Sequence, residues 1–387
     1  MNDSERKHFE KFGYNYFGPL LLCYSNWLIK NLKKNNINKV YFLSRDGYIM
    51  KQAFDIVNNS KIETYYFYAS RRAVIVPYLW MIKNKDEIFK VIAFNKKITI
   101  QSFIKKVGLE DCDLTHILEK YNYSLQTEIN TDEHRNFDNF FEEIFSLIKE
   151  NSKKEWMSLN NYADKNNFEG KIAIVDIGWN GTMQNSFQKL YKDYDFVGYY
   201  FGIVPFNHFN NLNLNGYIFD KNKNVEFYNK MHYFINIFEF LFLAQHGSVK
   251  RYLENGNDVE FYKYEYENCN EKNIVQCIQE SAIKYVNDNK NARLNDDIVI
   301  KRFINYFLRP SYKTAKLFGN LKFKDDEFKY IAKPDKKINY IIKPKKFLKD
   351  FSDSSWRIGF LKRVLMLPFP YYSFNNIIRK IYLRKEK

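Results

Sequence analysis

The sequence predicts an α/β fold, in which a parallel Rossmann-like sheet is flanked by helices and carries a helical insertion and a helical, basic C-terminal tail. Short β-branched and aromatic runs alternate with stretches of helical length, the pattern typical of βαβ units. Between two such runs, residues 83–165 instead place Phe, Leu and Ile at helical spacing. From Lys333 onward, basic residues crowd the chain. These three observations predict the architecture.

The first βαβ unit lies in the N-terminal part of the chain. A helix is predicted over residues 16–34, because Gly18-Pro19 places proline in its first turn. The run NKVYFL predicts a buried strand, residues 47–58 a helix, and TYYFYA, residues 64–69, a second strand. Strand, turn, helix and strand at this spacing indicate two parallel strands of one sheet.

The sheet pattern resumes after the insertion. KIAIVDIGWNGTMQNSFQKL, residues 171–190, predicts a strand, a turn and a helix, and FVGYYFGIV, residues 196–204, predicts the next strand. An apolar helix is predicted at 231–245, and further helices are predicted at about 272–287 and 296–308. The predicted organisation is an α/β core at 1–82 and 166–255, a helical insertion at 83–165, a helical region at 256–332 and a basic amphipathic tail at 333–387.

Composition and charge narrow the classes of function. Aromatic residues make up 19% of the 387 residues, which is too many for a disordered chain. The net charge of +16 indicates an anionic partner, which could be nucleic acid, a phosphorylated substrate or an acidic membrane leaflet. The four cysteines and six histidines show no zinc-like spacing, so we expect a reduced chain without structural metal. We expect no signal peptide and no membrane-spanning helix.

The tail pattern is typical of a helix pair that lies on anionic lipid. Apolar residues that can share one face of a short helix are Trp356, Phe360, Leu361, Val364 and Leu365, with Arg357, Lys362 and Arg363 elsewhere on it. A second such piece is predicted at 373–384. A C-terminal helix that packs on the core and exposes a basic face would give the same pattern, and both interpretations stay open.

The strongest local pattern is IAIVDIGWNGTMQ, residues 172–184. Asp176 ends a buried strand, Gly178 and Gly181 allow a tight turn, and Thr182 stands near the start of the next helix. Ligands of parallel α/β folds gather at the carboxyl ends of strands, and free N–H groups at a helix start favour an anion. The Gly-Lys-Ser/Thr ending of a Walker loop is missing. Phosphate is the expected ligand, and an ordinary turn whose Asp caps the helix is the alternative.

Two further strand ends carry arginines. FLSRDG places Arg45 and Asp46 after one strand, and YASRRA places Arg71 and Arg72 after its neighbour. Arginine can bind phosphate with two parallel hydrogen bonds, and Asp46 can hold a metal, a sugar hydroxyl or a proton. Alternatively, Arg45 and Asp46 form a pair that only orders the turn. If the three arginines face one crevice, they predict an anion site.

A fourth stretch, FEFLFLAQHGSVKRY, spans residues 238–252 and supplies Glu239, His246 and Ser248 as further candidates. A histidine beside glycine after a helix can act on a phosphate or a leaving group. The same position is also typical of a C-terminal helix cap.

In this order, FLSRDGY, YASRRA, VDIGWNGTMQ and FEFLFLAQHGS resemble the glycan phosphoribosyltransferase domain of bacterial ribofuranosyltransferases, the domain found beside haloacid-dehalogenase-type phosphatase domains in polysaccharide-synthesis proteins. The resemblance covers residues 10–320 and depends on the ordered set of short motifs. It implies transfer of 5-phosphoribose from phosphoribosyl diphosphate to a sugar hydroxyl of an O-antigen or capsule.

The resemblance also implies partners and a location. We expect Mg²⁺, a lipid-linked glycan acceptor, a separate phosphatase and no nucleic acid. We expect a cytoplasmic protein on the inner face of the membrane, bound to anionic lipid through residues 333–387.

The resemblance assigns roles to individual residues. Asp176 is expected to bind ribose or Mg²⁺, Asp46 to act as general base or metal ligand, and His246 is a third catalytic candidate. The residues expected to bind the phosphoribosyl donor are Arg45, Gly47, Ser70, Arg71, Arg72, Gly178, Trp179, Asn180, Gly181, Thr182 and Gln184. Within this set, the arginines are assigned to the diphosphate and the turn from Gly178 to Thr182 to the 5-phosphate. Ile177 replaces the second acid of the usual phosphoribosyltransferase signature, and Trp179, assigned to stack on the acceptor sugar, enters the loop.

Three other functions would each explain part of the sequence. A haloacid-dehalogenase-like phosphatase needs Asp-x-Asp-Gly-Thr after a strand, but here Ser44 stands at the nucleophile position. A nucleotide-sugar-dependent glycosyltransferase of polysaccharide synthesis usually carries a metal-binding Asp-x-Asp, which is missing, although some such enzymes do without it. A non-catalytic nucleic-acid or membrane-binding module would explain the charge, but an Asp beside its arginines would weaken phosphate affinity.

Overall fold

The computed structural model describes residues 1–387 except 93, 132–136, 206–208, 210, 325–326, 368 and 374–387. Its strands are β1 (Lys39–Leu43), β2 (Glu63–Phe67), β3 (Lys97–Thr99), β4 (Glu128–Asn130), β5 (Lys171–Asp176), β6 (Asp195–Gly202), β7 (Asn213–Phe219), β8 (Val249–Tyr252), β9 (Val259–Phe261), β10 (Lys322–Lys324) and β11 (Phe328–Tyr330). Five of them form the central sheet in the order β2-β1-β5-β6-β7, and every neighbouring pair is parallel. The predicted α/β fold with a parallel sheet is confirmed.

Helices surround this sheet. They are α1 (Asp3–Phe12), α2 (Gly18–Lys34), α3 (Gly47–Val57), α4 (Arg71–Ile75), α5 (Asp86–Val91), α6 (Ile100–Val107), α7 (Thr115–Lys120), α8 (Asp138–Lys165), α9 (Thr182–Leu190), α10 (Val225–Met231), α11 (Ile235–Leu241), α12 (Asn270–Asp288), α13 (Asp296–Leu308), α14 (Tyr312–Gly319), α15 (Lys337–Ile342), α16 (Pro344–Asp353) and α17 (Arg357–Leu365). A π-helical turn, Gly13–Phe17, joins α1 to α2, and 3₁₀ turns lie at Val76–Met81 and His232–Phe234.

Both faces of the sheet are buried, which explains why its strands are continuous apolar runs. Val40 and Phe42 of β1 belong to the core beneath α2, α3 and α12. Tyr41 and Leu43 belong to the opposite core, beneath α4, α8 and α9. Because successive side chains of a strand point to opposite faces, a strand covered on both sides needs apolar residues at every position.

The direction of chain progression changes at β1. From β1 the chain adds β2 on one side, and after the insertion it returns to add β5 on the other side. In open α/β sheets, such a switch point leaves a crevice beyond the carboxyl ends of the two central strands. Asp46 follows β1 and Asp176 ends β5, so both acids lie at this crevice.

Residues 83–165 are mostly helical, as expected, and have an apolar core of their own. Ile88, Phe103, Phe141 and Ile144 are buried in that core. A small antiparallel pair, β3 with β4, was not predicted, because each strand has three residues and gives almost no periodic signal.

Two other predicted elements differ from the structure. The single apolar helix expected at 231–245 is instead a 3₁₀ turn that follows the end of α10, and then α11, which ends at Leu241. Strand β7 was missed because the polar residues Asn213 and Asn215 flank Leu214 at its start, and none of the three is buried. The helices expected at 272–287 and 296–308 match α12 and α13 closely.

Of the two interpretations of the tail, packing on the core is the one the structure shows for the apolar face of α17. Trp356 is fully buried, and its indole N–H donates to the carbonyl of Phe307 at 3.2 Å. Phe360 and Leu361 are also buried, whereas Leu365 is exposed. The second predicted piece, 373–384, lies outside the described residues from position 374 onward. Within the described part of the chain, every helix is too short or too polar to span a bilayer.

Candidate functional site

A cavity of about 340 Å³ opens at the carboxyl ends of β1, β2 and β5. Its lining residues are Ser44, Arg45, Asp46, Ala69, Ser70, Arg71, Arg72, Asp176, Gly178, Trp179, Asn180, Gly181, Thr182, Met183, Tyr200 and Ser248. Cavities of about 450 and 550 Å³ lie elsewhere, but the buried carboxyl group of Asp176 and the partly buried one of Asp46 face this one. The structure therefore brings the three strand-end motifs together, with Ser248 from the fourth.

The carboxyl groups of Asp46 and Asp176 are hydrogen-bonded to each other at the cavity floor. Burial, followed by the charge of Asp176, raises the pKa of Asp46 well above its usual range. Burial also raises the pKa of Asp176 to about 6, although the backbone N–H of Ile177 donates to it at 2.7 Å and Arg71 lies near it. The two acids therefore titrate as a coupled pair, in which burial favours the protonated form of each carboxyl group.

Glu239 adds a third acid behind this pair. Its Oε1 accepts a hydrogen bond of 2.9 Å from the indole N–H of Trp179, and its charge raises the pKa of both aspartates. The Trp179 ring stacks on Phe219 with an interplanar angle of 3° and also contacts Phe238. Trp179 thus lines the cavity, but Phe219 already covers one face of the indole that was assigned to an acceptor sugar.

The turn after β5 requires its glycines. Gly178 has φ +138°, and a Cβ there would lie 2.2 Å from the carbonyl oxygen of Gly202. Gly181 has φ +71° and precedes α9, whose first backbone bond joins the N–H of Asn185 to Gly181 at 2.9 Å. The N–H groups before Asn185 have no partner within the helix, a geometry that favours an anion. The Ser44–Arg45 and Gly178–Trp179 peptide bonds, one in each turn, are cis.

The three predicted arginines have different environments. Arg71 is exposed on the cavity wall and close enough to Asp176 to lower its pKa. Arg45 is partly exposed and pairs with Glu265 at 2.5 Å. Both remain candidates for binding an anion.

Arg72, which was predicted to bind the diphosphate, differs from the other two arginines. Its five N–H groups bind Glu110, Glu155 and the carbonyl of Lys250, at 2.5 to 3.3 Å. Because no N–H group is left for a ligand, the structure gives Arg72 a structural role.

Three other residues predicted to bind the phosphoribosyl donor have structural contacts instead. Ser70 caps α4, accepting from the N–H of Ala73 and donating to the carbonyl of Val249 at 2.7 Å. Gln184 is fully buried and bonds two backbone carbonyls and the hydroxyl of Tyr200. Gly47 lets α3 approach β1, since a Cβ there would lie 2.7 Å from the backbone of Phe42.

His246 lies behind Tyr66 rather than on the cavity wall. Its Nε2 is 2.8 Å from the Tyr66 hydroxyl, and its Nδ1 is 2.8 Å from the carbonyl of Gly247. Burial lowers its pKa, so the ring is neutral, with Nδ1 protonated to donate to Gly247 and Nε2 accepting from Tyr66. It is not a helix cap either, because α11 ends five residues earlier, at Leu241. The predicted catalytic role has no support in this placement.

Tyr200 lines the cavity and Glu265 pairs with Arg45, but neither residue was predicted. Tyr200 lies in the middle of a uniformly apolar strand, and Glu265 lies in the loop after β9. Neither position carries a local sequence signal, because each joins the site through the packing of distant segments.

Mg²⁺ is the metal expected at this cavity, with Asp46 and Asp176 as its ligands. The described residues contain no group of three His, Cys, Asp or Glu side chains suited to a metal. Mg²⁺ is often held by one or two carboxylates and substrate phosphates, so Asp46 and Asp176 fit this ion when a diphosphate is bound.

No protein-family model matches this chain, and a comparison with curated proteins also finds no match.

Proposed function

We propose that this chain is a glycosyltransferase that moves 5-phosphoribose from phosphoribosyl diphosphate to a sugar hydroxyl of a surface polysaccharide. The observation that carries the proposal is the hydrogen-bonded Asp46–Asp176 pair, which shares one cavity with Arg71 and the glycine turn before α9. A transferase of this kind needs an acid–base group and an anion site within reach of the same sugar. The order of the four motifs, given above, supports the same activity.

The reaction breaks the bond between ribose C1 and the diphosphate and forms a bond from the acceptor oxygen to C1. The acceptor proton passes to a carboxylate of the Asp46–Asp176 pair, where burial favours the protonated form. Arg71 and Arg45 bind the departing diphosphate, whose charge develops as the bond breaks. The N–H groups from Thr182 onward bind the 5-phosphate. In the alternative role of the two aspartates as metal ligands, Mg²⁺ held by them would neutralise charge on the diphosphate.

Two observations favour this proposal over the alternatives. The cavity volume, about 340 Å³, is near the lower limit for ligand pockets and suits a donor without a nucleobase better than a nucleotide sugar. The Ser44 hydroxyl donates to the carbonyl of Ala69 and accepts from its N–H, at 2.9 and 3.0 Å. That side chain joins two strand ends, which argues against phosphatase chemistry at this position.

The test uses the full chain with phosphoribosyl diphosphate, MgCl₂ and synthetic or lipid-linked glycan acceptors. We expect release of diphosphate that depends on the acceptor, and a loss of about 10²- to 10⁴-fold in Asp176→Asn. Arg302→Ala, an exposed arginine outside the cavity, serves as the matched control for Arg71→Ala. Thermal stabilisation by UDP or GDP sugars but not by phosphoribosyl diphosphate would replace this proposal with a nucleotide-sugar enzyme.

A further inference from the structure

Helix α15 presents its apolar side chains to the outside. Ile338, Ile341 and Ile342 are 55%, 75% and 67% exposed. Residues at i, i+3 and i+4 share one face of a helix, so the three isoleucines form one stripe. On the other side, Tyr340 is buried against Phe347 and Phe360. The usual arrangement of a surface helix, with the apolar face inward, is therefore reversed.

The exposed stripe continues beyond α15. Leu348 on α16 is 63% exposed, while its neighbour Phe347 packs inward on Phe360. Leu367 and Phe369, which follow α17, are also exposed. The Nζ of Lys337 lies 3.0 Å from the sulfur of Met366, so this last segment adjoins the start of α15. We call the set Ile338, Ile341, Ile342, Leu348, Leu367 and Phe369 the C-terminal apolar surface.

The charge around this surface is almost all positive. Residues 333–373 contain ten Lys and Arg, three Asp and no Glu. Two of the acids, Asp335 and Asp350, are each 3.4 Å from Lys346, so their charge is partly neutralised within the segment. Lys343, Lys345 and Lys349 are exposed beside the apolar residues.

We infer that the C-terminal apolar surface binds an anionic lipid bilayer, with its apolar side chains at the acyl boundary and the lysines at the headgroups. Apolar side chains ringed by cations match the two layers of such a membrane. A second copy of this chain would bring two positive surfaces together, and nucleic acid would leave the isoleucines in water. The contact replaces the predicted one, in which Trp356, Phe360 and Leu361 would have met lipid.

The experiment is cosedimentation of the full chain with phosphatidylglycerol/phosphatidylcholine vesicles and with pure phosphatidylcholine vesicles. We expect binding to the anionic vesicles that weakens at high salt, and little binding to neutral ones. The double variant Ile341→Asn/Ile342→Asn should lower partition onto anionic vesicles by about tenfold or more. Ile298→Asn, on α13 with 65% exposure, is the matched control and should bind like the wild type.

Three results would overturn the inference. They are equal binding of the wild type and the double variant, equal binding to neutral and anionic vesicles, and a concentration-dependent dimer that only the double variant abolishes. Because the changed side chains are exposed, unchanged circular dichroism and melting temperature will show that the variants are folded. A Lys345→Glu/Lys349→Glu variant separates the electrostatic part, since it should weaken binding without removing an apolar group. No sugar donor is present, so the outcome is independent of the transferase assay.

Discussion

The cavity and the ion-pair network beside it are built from the same types of side chain but balance their charges differently. The network consists of Arg72, Lys250 and Arg251 with Glu110, Asp111, Glu155 and Glu260. In it every cation contacts at least two carboxylates or a carboxylate and a carbonyl. In the cavity, two acids contact each other, and Arg71 faces the opening. In the network, contacts between opposite charges hold the helical insertion on the sheet. In the cavity, two acids in contact leave a site that gains free energy when a cation or a proton binds.

The largest expected effect comes from breaking the network. Arg72→Ala leaves the buried carboxylate of Glu155 without its cation and should lower the free energy of unfolding by about 3–5 kcal/mol. Arg71→Ala, one residue earlier and exposed, should leave stability close to that of the wild type. Urea unfolding of both variants measures the difference. If the two variants had equal unfolding free energies, Arg72 would contribute no more to stability than Arg71.

The second effect concerns the pH dependence of stability. Because the folded pKa of both aspartates is raised, the folded state holds more protons than the unfolded state, and stability falls as pH rises through about 6. Asp46→Asn removes an acid whose charged form is disfavoured by burial and then by the charge of Asp176, and should raise the unfolding free energy at pH 8 by about 1–3 kcal/mol. Urea unfolding between pH 5 and 8 tests this. A variant as sensitive to pH as the wild type would contradict the raised pKa of Asp46.

The third effect concerns binding. Arg71→Ala should weaken the affinity for phosphoribosyl diphosphate by about 10- to 100-fold, because one charge-assisted hydrogen bond is lost. Isothermal titration calorimetry in the presence of MgCl₂ measures the change, and Arg302→Ala provides the control. If the control lost as much affinity as Arg71→Ala, binding would depend on net charge and not on the cavity.

The smallest effect is expected at His246. His246→Gln keeps a side chain that can bond Tyr66, and it lies outside the cavity lining, so turnover should stay within about threefold of the wild type. The pH profile of turnover should also be unchanged. A loss comparable to that of Asp176→Asn would restore the catalytic role that the sequence suggested.

Local chemistry made much of the site predictable. Asp176 ends an apolar strand, and Gly178 and Gly181 follow it within a few residues. Such a sequence is compatible with few structures other than a tight turn at the end of a strand. The positions of Arg45, Asp46 and Arg71 at strand ends were predictable for the same reason. The roles of Arg72, Gln184 and Ser70 were not, because their partners are up to 179 residues away in the sequence.

The basic tail also combines features that the sequence predicts with features that depend on packing. Its basic charge and its apolar residues are properties of the sequence, and they predict a contact with anionic lipid. Which apolar residues remain exposed depends on packing, since Trp356 can bury itself only where α13 offers the carbonyl of Phe307.

By itself, the sequence determined the parallel α/β sheet, the position of the acidic and glycine-containing turns, and the excess of positive charge. These follow from periodicity, backbone preference and composition, which act over short distances along the chain. The tertiary structure alone decided that Asp46 and Asp176 come together, that Glu110 and Glu155 hold Arg72 while Arg71 stays exposed, and that α15 turns its isoleucines outward. Those outcomes depend on burial and on contacts between distant segments, which no local pattern records.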